Sequence, residues 1–196
     1  MCIRDRYVEV PGIDAIWHQI WTDTIADYPR LASSTAHIYG HPRSFTESFG
    51  AYRPVPDVTM ARYVLNEQII RGINLTEGMS YGASSPPDPQ RAPPAAVTPT
   101  VAGAAAVPPR PPSAMSDPAW PTLMDYIRRL SYVMSMGRPA AQVALYIPSS
   151  SMWLGDSASD TAFVSSERML GERQINFDII NMDAVSYTHL DVYKRQ

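Results

Sequence analysis

The sequence predicts an α/β fold, and two observations carry that expectation. Between residues 43 and 78 a short apolar strand, a carboxylate and a glycine lead into an amphipathic helix, and a second strand, carboxylate and glycine come after it. From residue 117 onward the order is helix, buried strand, helix, buried strand. Strand–helix–strand units of this kind build parallel sheets whose strand ends share one edge.

The two ends are set aside before the elements are read. The last twelve residues, VSYTHLDVYKRQ (185–196), back-translate to a nearly perfect inverted DNA repeat. The opening MCIRDR (1–6) back-translates to the same bases as DVYKRQ, read one base later. That shared word resembles the transposon end used in preparing sequencing libraries, so both tails are expected to be adapter readthrough and are excluded as scars. On this expectation the chain is an internal fragment, genuine over 7–184.

Composition narrows the classes. An apolar share of 45% and a net charge of −3 suit a globular protein, without the basic surplus of a nucleic-acid binder or an acidic tail. Cys2 lies in the excluded tail, so disulfides, thiolate metal sites and cysteine nucleophiles are not expected in 7–184. No apolar run approaches the roughly 18 residues that span a bilayer. Localisation stays open.

In chain order, Pro11 and Gly12 mark a turn, and Ile13, Ile16, Trp17, Ile20 and Trp21 fall three and four apart, which predicts a helix. Paired tryptophans a turn apart serve a core more commonly than a ligand, yet Trp17 is also a candidate for stacking on a sugar. Pro29 opens a helix over 30–39 that Gly40 and Pro42 end; its small residues (Ala32, Ser33, Ser34, Ala36) permit close packing. His37, near its end, reads first as a hydrogen-bonded packing residue.

Ser44, Phe45 and Thr46 predict a buried strand with Glu47 at its end and Gly50 in the following turn. A carboxylate at the carboxyl end of a strand is where (β/α) barrels keep catalytic groups; the plainer reading is an acid that caps or salt-bridges a loop. Asp57 is the expected N-cap of a helix over 57–71, with Met60, Tyr63, Val64, Leu65 and Ile69 as its apolar stripe and Gly72 as its stop. Residues 73–75 predict the next strand, followed by Thr76, Glu77 and Gly78. If the strands are parallel, Glu47 and Glu77 are neighbours on one rim.

Residues 84–116 are mostly Pro, Ala, Ser and Thr and predict a linker or insertion that cannot bury enough to offset its ordering entropy. A second unit is expected over 117–184. Pro118 opens a helix with Trp120, Leu123, Tyr126, Ile127 and Leu130 on its apolar side. The run 143–147 predicts a strand covered on both faces, a serine-rich loop with Trp153 and Asp156 comes next, then a helix over 160–172 and a strand at 177–180. The expected arrangement is doubly wound.

Taken together, PGIDAIWHQIW, LASSTAHIYGHPRSFTESFGAY, RGINLTEGMSY, YIRRLSYVMSMGRPAAQVALYIPSSSMW and INFDIINMDAV resemble, in that order, the bacterial glycoside hydrolases of the α-L-rhamnosidase type (family 106 and close relatives). The resemblance implies the C-terminal part of a (β/α)8 barrel in 7–83, followed by the start of a flavodoxin-like or amidotransferase-like α/β domain. It places RSFTESF on the seventh barrel strand and GINLTEG on the eighth. Glu47 then matches one carboxylate of the catalytic pair, while His37, Tyr39, Asn74 and Glu77 fall on segments that line the sugar pocket. Relatives carry an aromatic or histidine after GIN, where this chain has Thr76, Glu77 and Gly78.

The resemblance further implies a glycosidase acting on an oligosaccharide or polysaccharide. Its compartment would be the periplasm or the exterior, and calcium is implied by the family alone. Such hydrolysis takes two carboxyl groups, one protonating the leaving oxygen and one acting at the anomeric centre. By the family analogy Glu47 activates water in an inverting reaction and its partner acid lies upstream of residue 7. A pair about 5 Å apart would instead make Glu47 the nucleophile of a retaining reaction. Glu77 is read as a hydroxyl-binding or charge-tuning residue. The fragment by itself is expected to be inactive. A non-catalytic carbohydrate-binding or structural protein on the same barrel is the alternative, and an esterase is disfavoured because no GxSxG elbow occurs.

Overall fold

The computed structural model describes residues 8–22, 27–52, 56–78 and 117–185. The Pro/Ala-rich stretch 84–116 and, Val185 apart, both terminal segments expected to be adapter readthrough lie outside the described residues. The elements are β1 (Gly12–Ile16), α1 (Pro29–Tyr39), β2 (Phe45–Gly50), α2 (Val58–Ile69), β3 (Leu75–Gly78), α3 (Trp120–Met134), β4 (Val143–Tyr146), α4 (Ser149–Trp153), α5 (Ser157–Glu172) and β5 (Phe177–Ile180). They form two small parallel sheets, one ordered β1-β2-β3 and the other pairing β4 with β5. The α/β class expected from the sequence is therefore present.

The first departure is at the start. The helix expected over Ile13 to Trp21 is instead strand β1 and a turn. Gly12 and Asp14 are exposed while Ile13 and Ala15 are buried, a period of two. Gly12 lets the strands approach closely, since a Cβ there would stand 2.7 Å from Phe45 Cδ1. Trp17 and His18 then take left-handed φ values of 52° and 56°, which turns the chain out of the strand.

Helix α1 follows the sequence closely. Pro29 occupies its first turn, and Gly40, at φ 74°, closes it by donating to the carbonyls of Ala36 and His37. Its small residues bring two neighbours near. Ser33 Oγ donates to the Arg71 carbonyl at 2.6 Å, and Ser34 Oγ accepts from the Ile179 amide at 2.8 Å. Ala32 belongs to the core of the first sheet, whereas Leu31 packs with the second. Helix α1 thus forms a wall common to both.

Asp57 caps α2 as expected, its carboxylate accepting from the Met60 amide at 2.7 Å. Val64, Leu65 and Ile69 enter the core with Ile13, Ala15 and Ile73. The buried Gln68 serves a different purpose: its Oε1 accepts from Thr46 Oγ1, and its Nε2 donates to Ser48 Oγ at 3.0 Å and the Val64 carbonyl at 3.2 Å. This network fixes which face of β2 turns to the helices.

Strand β3 begins at Leu75 rather than at residue 73, because Asn74 is taken up in bonding to the chain ahead of β2. Helix α3 begins at Trp120, with Pro121 rather than Pro118 in its first turn; the Asp117 carboxylate accepts from the Ala119 amide at 2.8 Å in the turn before it. Assigned by sequence to the second unit, α3 places Leu123 and Ile127 in the core of the first sheet.

The second sheet is covered on one side. Phe163, Leu170, Phe177 and Ile179 form its core with Val143 and Leu145, but Ala144 and Tyr146 on β4 are exposed, against the expectation of cover on both faces. The serine-rich stretch makes the short helix α4 instead of a loop. Asp156 caps α5 earlier than expected, accepting from the amides of Ala158 and Ser159.

Candidate functional site

Parallel pairing of β1, β2 and β3 sets Asp14 opposite Glu47 and Glu47 opposite Glu77. Partners in register point to the same side of a sheet, and on β2 the alternate residues Thr46 and Ser48 are bound to Gln68 of α2. The three acids therefore share the face turned away from the helices. Asp14 and Glu77 are exposed and Glu47 is half-buried. Neighbouring strands run about 4.8 Å apart, so the carboxylates stand in a row at one level. Among the described residues none of the three makes a salt bridge. Like charges directly opposite one another destabilise a sheet.

Glu47 is the third residue of β2, not the residue after it, which corrects the expected position at the strand end. Asp14 was missed by sequence reasoning because its segment scans as a helix. The signal that would have found it is the alternation of GIDAI, which places Asp14 between two buried residues.

Above this row, the carboxyl ends of β1 and β2 are irregular. The register slips between Ala15 and Ile16, and the Trp17 amide donates to the Gly50 carbonyl at 2.9 Å. Trp17, His18, Phe49 and Ala51 all have positive φ here; Gln174 is the other non-glycine of this kind among the described residues. Unfavourable backbone of this sort concentrates at functional sites. Trp17 is 68% exposed. Next in the chain, the His18 ring lies 4.5 Å from that of Trp21 and 4.7 Å from that of Tyr52, and Phe49 meets Tyr52 and Trp120 edge-on. Tyr52 Oη donates to the Ile20 carbonyl at 3.1 Å, and burial pushes the phenol up to about 12. An exposed indole just past the strand that carries Asp14 can stack on the apolar face of a pyranose.

Three other expected pocket residues lie elsewhere. Asn74 precedes β3 and is buried; its Oδ1 accepts from the Ser44 amide at 3.0 Å and its Nδ2 donates to the Pro42 carbonyl at 3.0 Å. That is the amino end of the strands. Ser44 is three residues before Glu47, about 10 Å along a strand. His37 Nδ1 lies 2.7 Å from Asp178 Oδ1 on β5. His37 and Asn74 do line one cleft, of about 920 Å³, with Arg30, Arg71 and Arg138, but the acid row is not part of its lining. Tyr39 is half-buried beside Ile179 and Ile180 of the second sheet. The structure therefore sets Asp14, Glu47 and Glu77 in one register, with Trp17 three residues beyond Asp14, and does not bring His37, Tyr39 or Asn74 to that row.

Among the described residues no group of three or more His, Cys, Asp or Glu side chains could hold a metal ion, so calcium rests on the family resemblance alone. No helix among them is long and apolar enough to cross a membrane. No family model, no curated protein and no solved structure matches the chain.

Proposed function

We propose that the chain is part of a glycoside hydrolase of the α-L-rhamnosidase type, with Glu47 as one of the catalytic carboxylates. The observation that supports this best is the register of Asp14, Glu47 and Glu77 on the sheet face opposite the helices. In a (β/α)8 barrel that face lines the interior, and consecutive strands lie side by side as β1, β2 and β3 do. The three strands and their helices would be part of such a barrel, with β4 and β5 opening a flavodoxin-like or amidotransferase-like domain.

Strands about 4.8 Å apart allow adjacent members of the row the roughly 5 Å spacing of a double-displacement pair. Glu47 attacks the anomeric carbon, while Asp14 or Glu77 protonates the leaving oxygen and then takes a proton from water. In the single-displacement geometry that the family analogy favours, Glu47 instead takes a proton from the attacking water, and its partner acid stands farther off to leave room for that water. Trp17 stacks on the sugar at the rim.

The test is hydrolysis of an aryl α-L-rhamnoside by the full-length parent and its Glu47→Gln variant, with NMR of the first-formed anomer. Loss of turnover with binding kept is the expected result, and retained configuration identifies the neighbouring-acid pair. Near-normal turnover in the variant removes Glu47 from the chemistry.

A further inference from the structure

The cleft of about 920 Å³ that His37 and Asn74 line opens between the ends of α1, α2 and α3 and the start of β5. Its volume is that of a small-molecule pocket. The end of α3 is tied to the amino side of the first sheet, where Asn74 Nδ2 donates to the Met134 carbonyl at 3.3 Å. Gly137, at φ 83°, then turns the chain and brings Arg138 into the lining.

Two chemistries meet there. Arg30, Arg71 and Arg138 line the cleft, and Asp178 is the one acid among its described lining residues. Asp178 is already engaged by His37, at 2.7 Å. Arg71 is held by Asp27 and Glu67, its Nε and Nη1 each donating at 2.7 Å, and Arg30 Nη1 donates to Asn176 Oδ1 at 2.9 Å. Arg138 is exposed and, among the described residues, makes no salt bridge. The same cleft is lined by Ile70, Val133 and Met136, which are 64%, 59% and 59% exposed. Large apolar side chains left open to water beside polar ones mark a surface that covers a ligand.

We propose that this cleft is a second ligand site, for a small organic anion whose oxyanion head meets Arg138 and whose apolar body lies against Ile70, Val133 and Met136. A guanidinium offers paired N–H donors that match a phosphate or carboxylate. Burying the body of the ligand on the three apolar side chains supplies the remainder of the affinity. The site is independent of the acid row and of any hydrolysis there.

Titration of the full chain with phenyl phosphate, inorganic phosphate and phenol, followed by calorimetry and by the ring signals of His37 and His41, tests this. Both rings belong to the lining. Phenyl phosphate is expected to saturate and to bind about tenfold tighter than either of the others, since each of those lacks the head or the body. The R138Q variant should weaken phenyl phosphate about tenfold and leave phenol unchanged. No saturation by phenyl phosphate, equal binding of phenyl phosphate and either of the others, or an unchanged affinity in R138Q overturns the proposal. So does saturable binding that shifts neither histidine ring. Should R138Q fail to fold, the ranking of the three probes on the wild-type chain, with the ring shifts, decides alone.

Discussion

Thr46 of β2 gives its hydroxyl proton to the amide oxygen of Gln68 on α2, inside a core where both side chains are fully buried. The bond sets the face of β2 on which Glu47 is presented. Replacing Gln68 by Leu leaves the Thr46 and Ser48 hydroxyls only each other, at 3.5 Å, and the expected loss is about 1–3 kcal/mol in urea denaturation. Adding Thr46→Val to Gln68→Leu should recover part of that loss, since removing both partners costs less than orphaning one. A double variant less stable than the single one would show that packing, not polarity, governs the site.

The acid row leads to a prediction of opposite sign. Glu77→Gln removes one of three like charges in register and should stabilise the chain by about 0.2–1 kcal/mol, even as it lowers turnover. Thermal melts and initial rates on the same samples measure both quantities. A Glu77→Gln variant that is less stable would mean that the three carboxylates do not repel one another as their register implies.

Trp17 combines an exposed indole with a left-handed backbone. Trp17→Gly should leave the melting temperature level or higher, because the left-handed conformation costs a non-glycine residue about 1–2 kcal/mol. The same change should raise KM several-fold with kcat little altered. A marked fall in stability would assign Trp17 to the core.

His37 and Asp178 join α1 to β5 at a distance from the row. Asp178→Asn should cost about 0.5–1.5 kcal/mol, the worth of an ordinary hydrogen bond, and leave kcat unchanged. A large fall in kcat would return His37 to the substrate pocket.

The parts of the fold legible in the sequence are those where a single residue sets the backbone. Pro29 and Gly40 bound α1, and Asp57 starts α2, because proline, glycine and a capping carboxylate each satisfy a local demand of helix ends. Strand β1 was illegible because its five residues fit both periods, and its choice was made by pairing with Phe45 to Gly50 far along the chain. With β1 misread, Asp14 could not be seen. Glu47 and Glu77 were legible as neighbours since parallel strands joined by a helix bring matched positions together. His37, Asn74 and the seat of α3 were not, because their partners Asp178, Pro42 and the core around Leu123 are set by tertiary contact alone.

Helix α1 leans on one sheet with Ala32 and on the other with Leu31 and Ser34, while α3 crosses back to fill the first with Leu123 and Ile127. A cut between β3 and α3 therefore yields no pair of self-sufficient halves. Each piece would be missing a wall that the other owns, so the two should regain structure when mixed or co-expressed, as a complementing split protein, and neither should do so by itself.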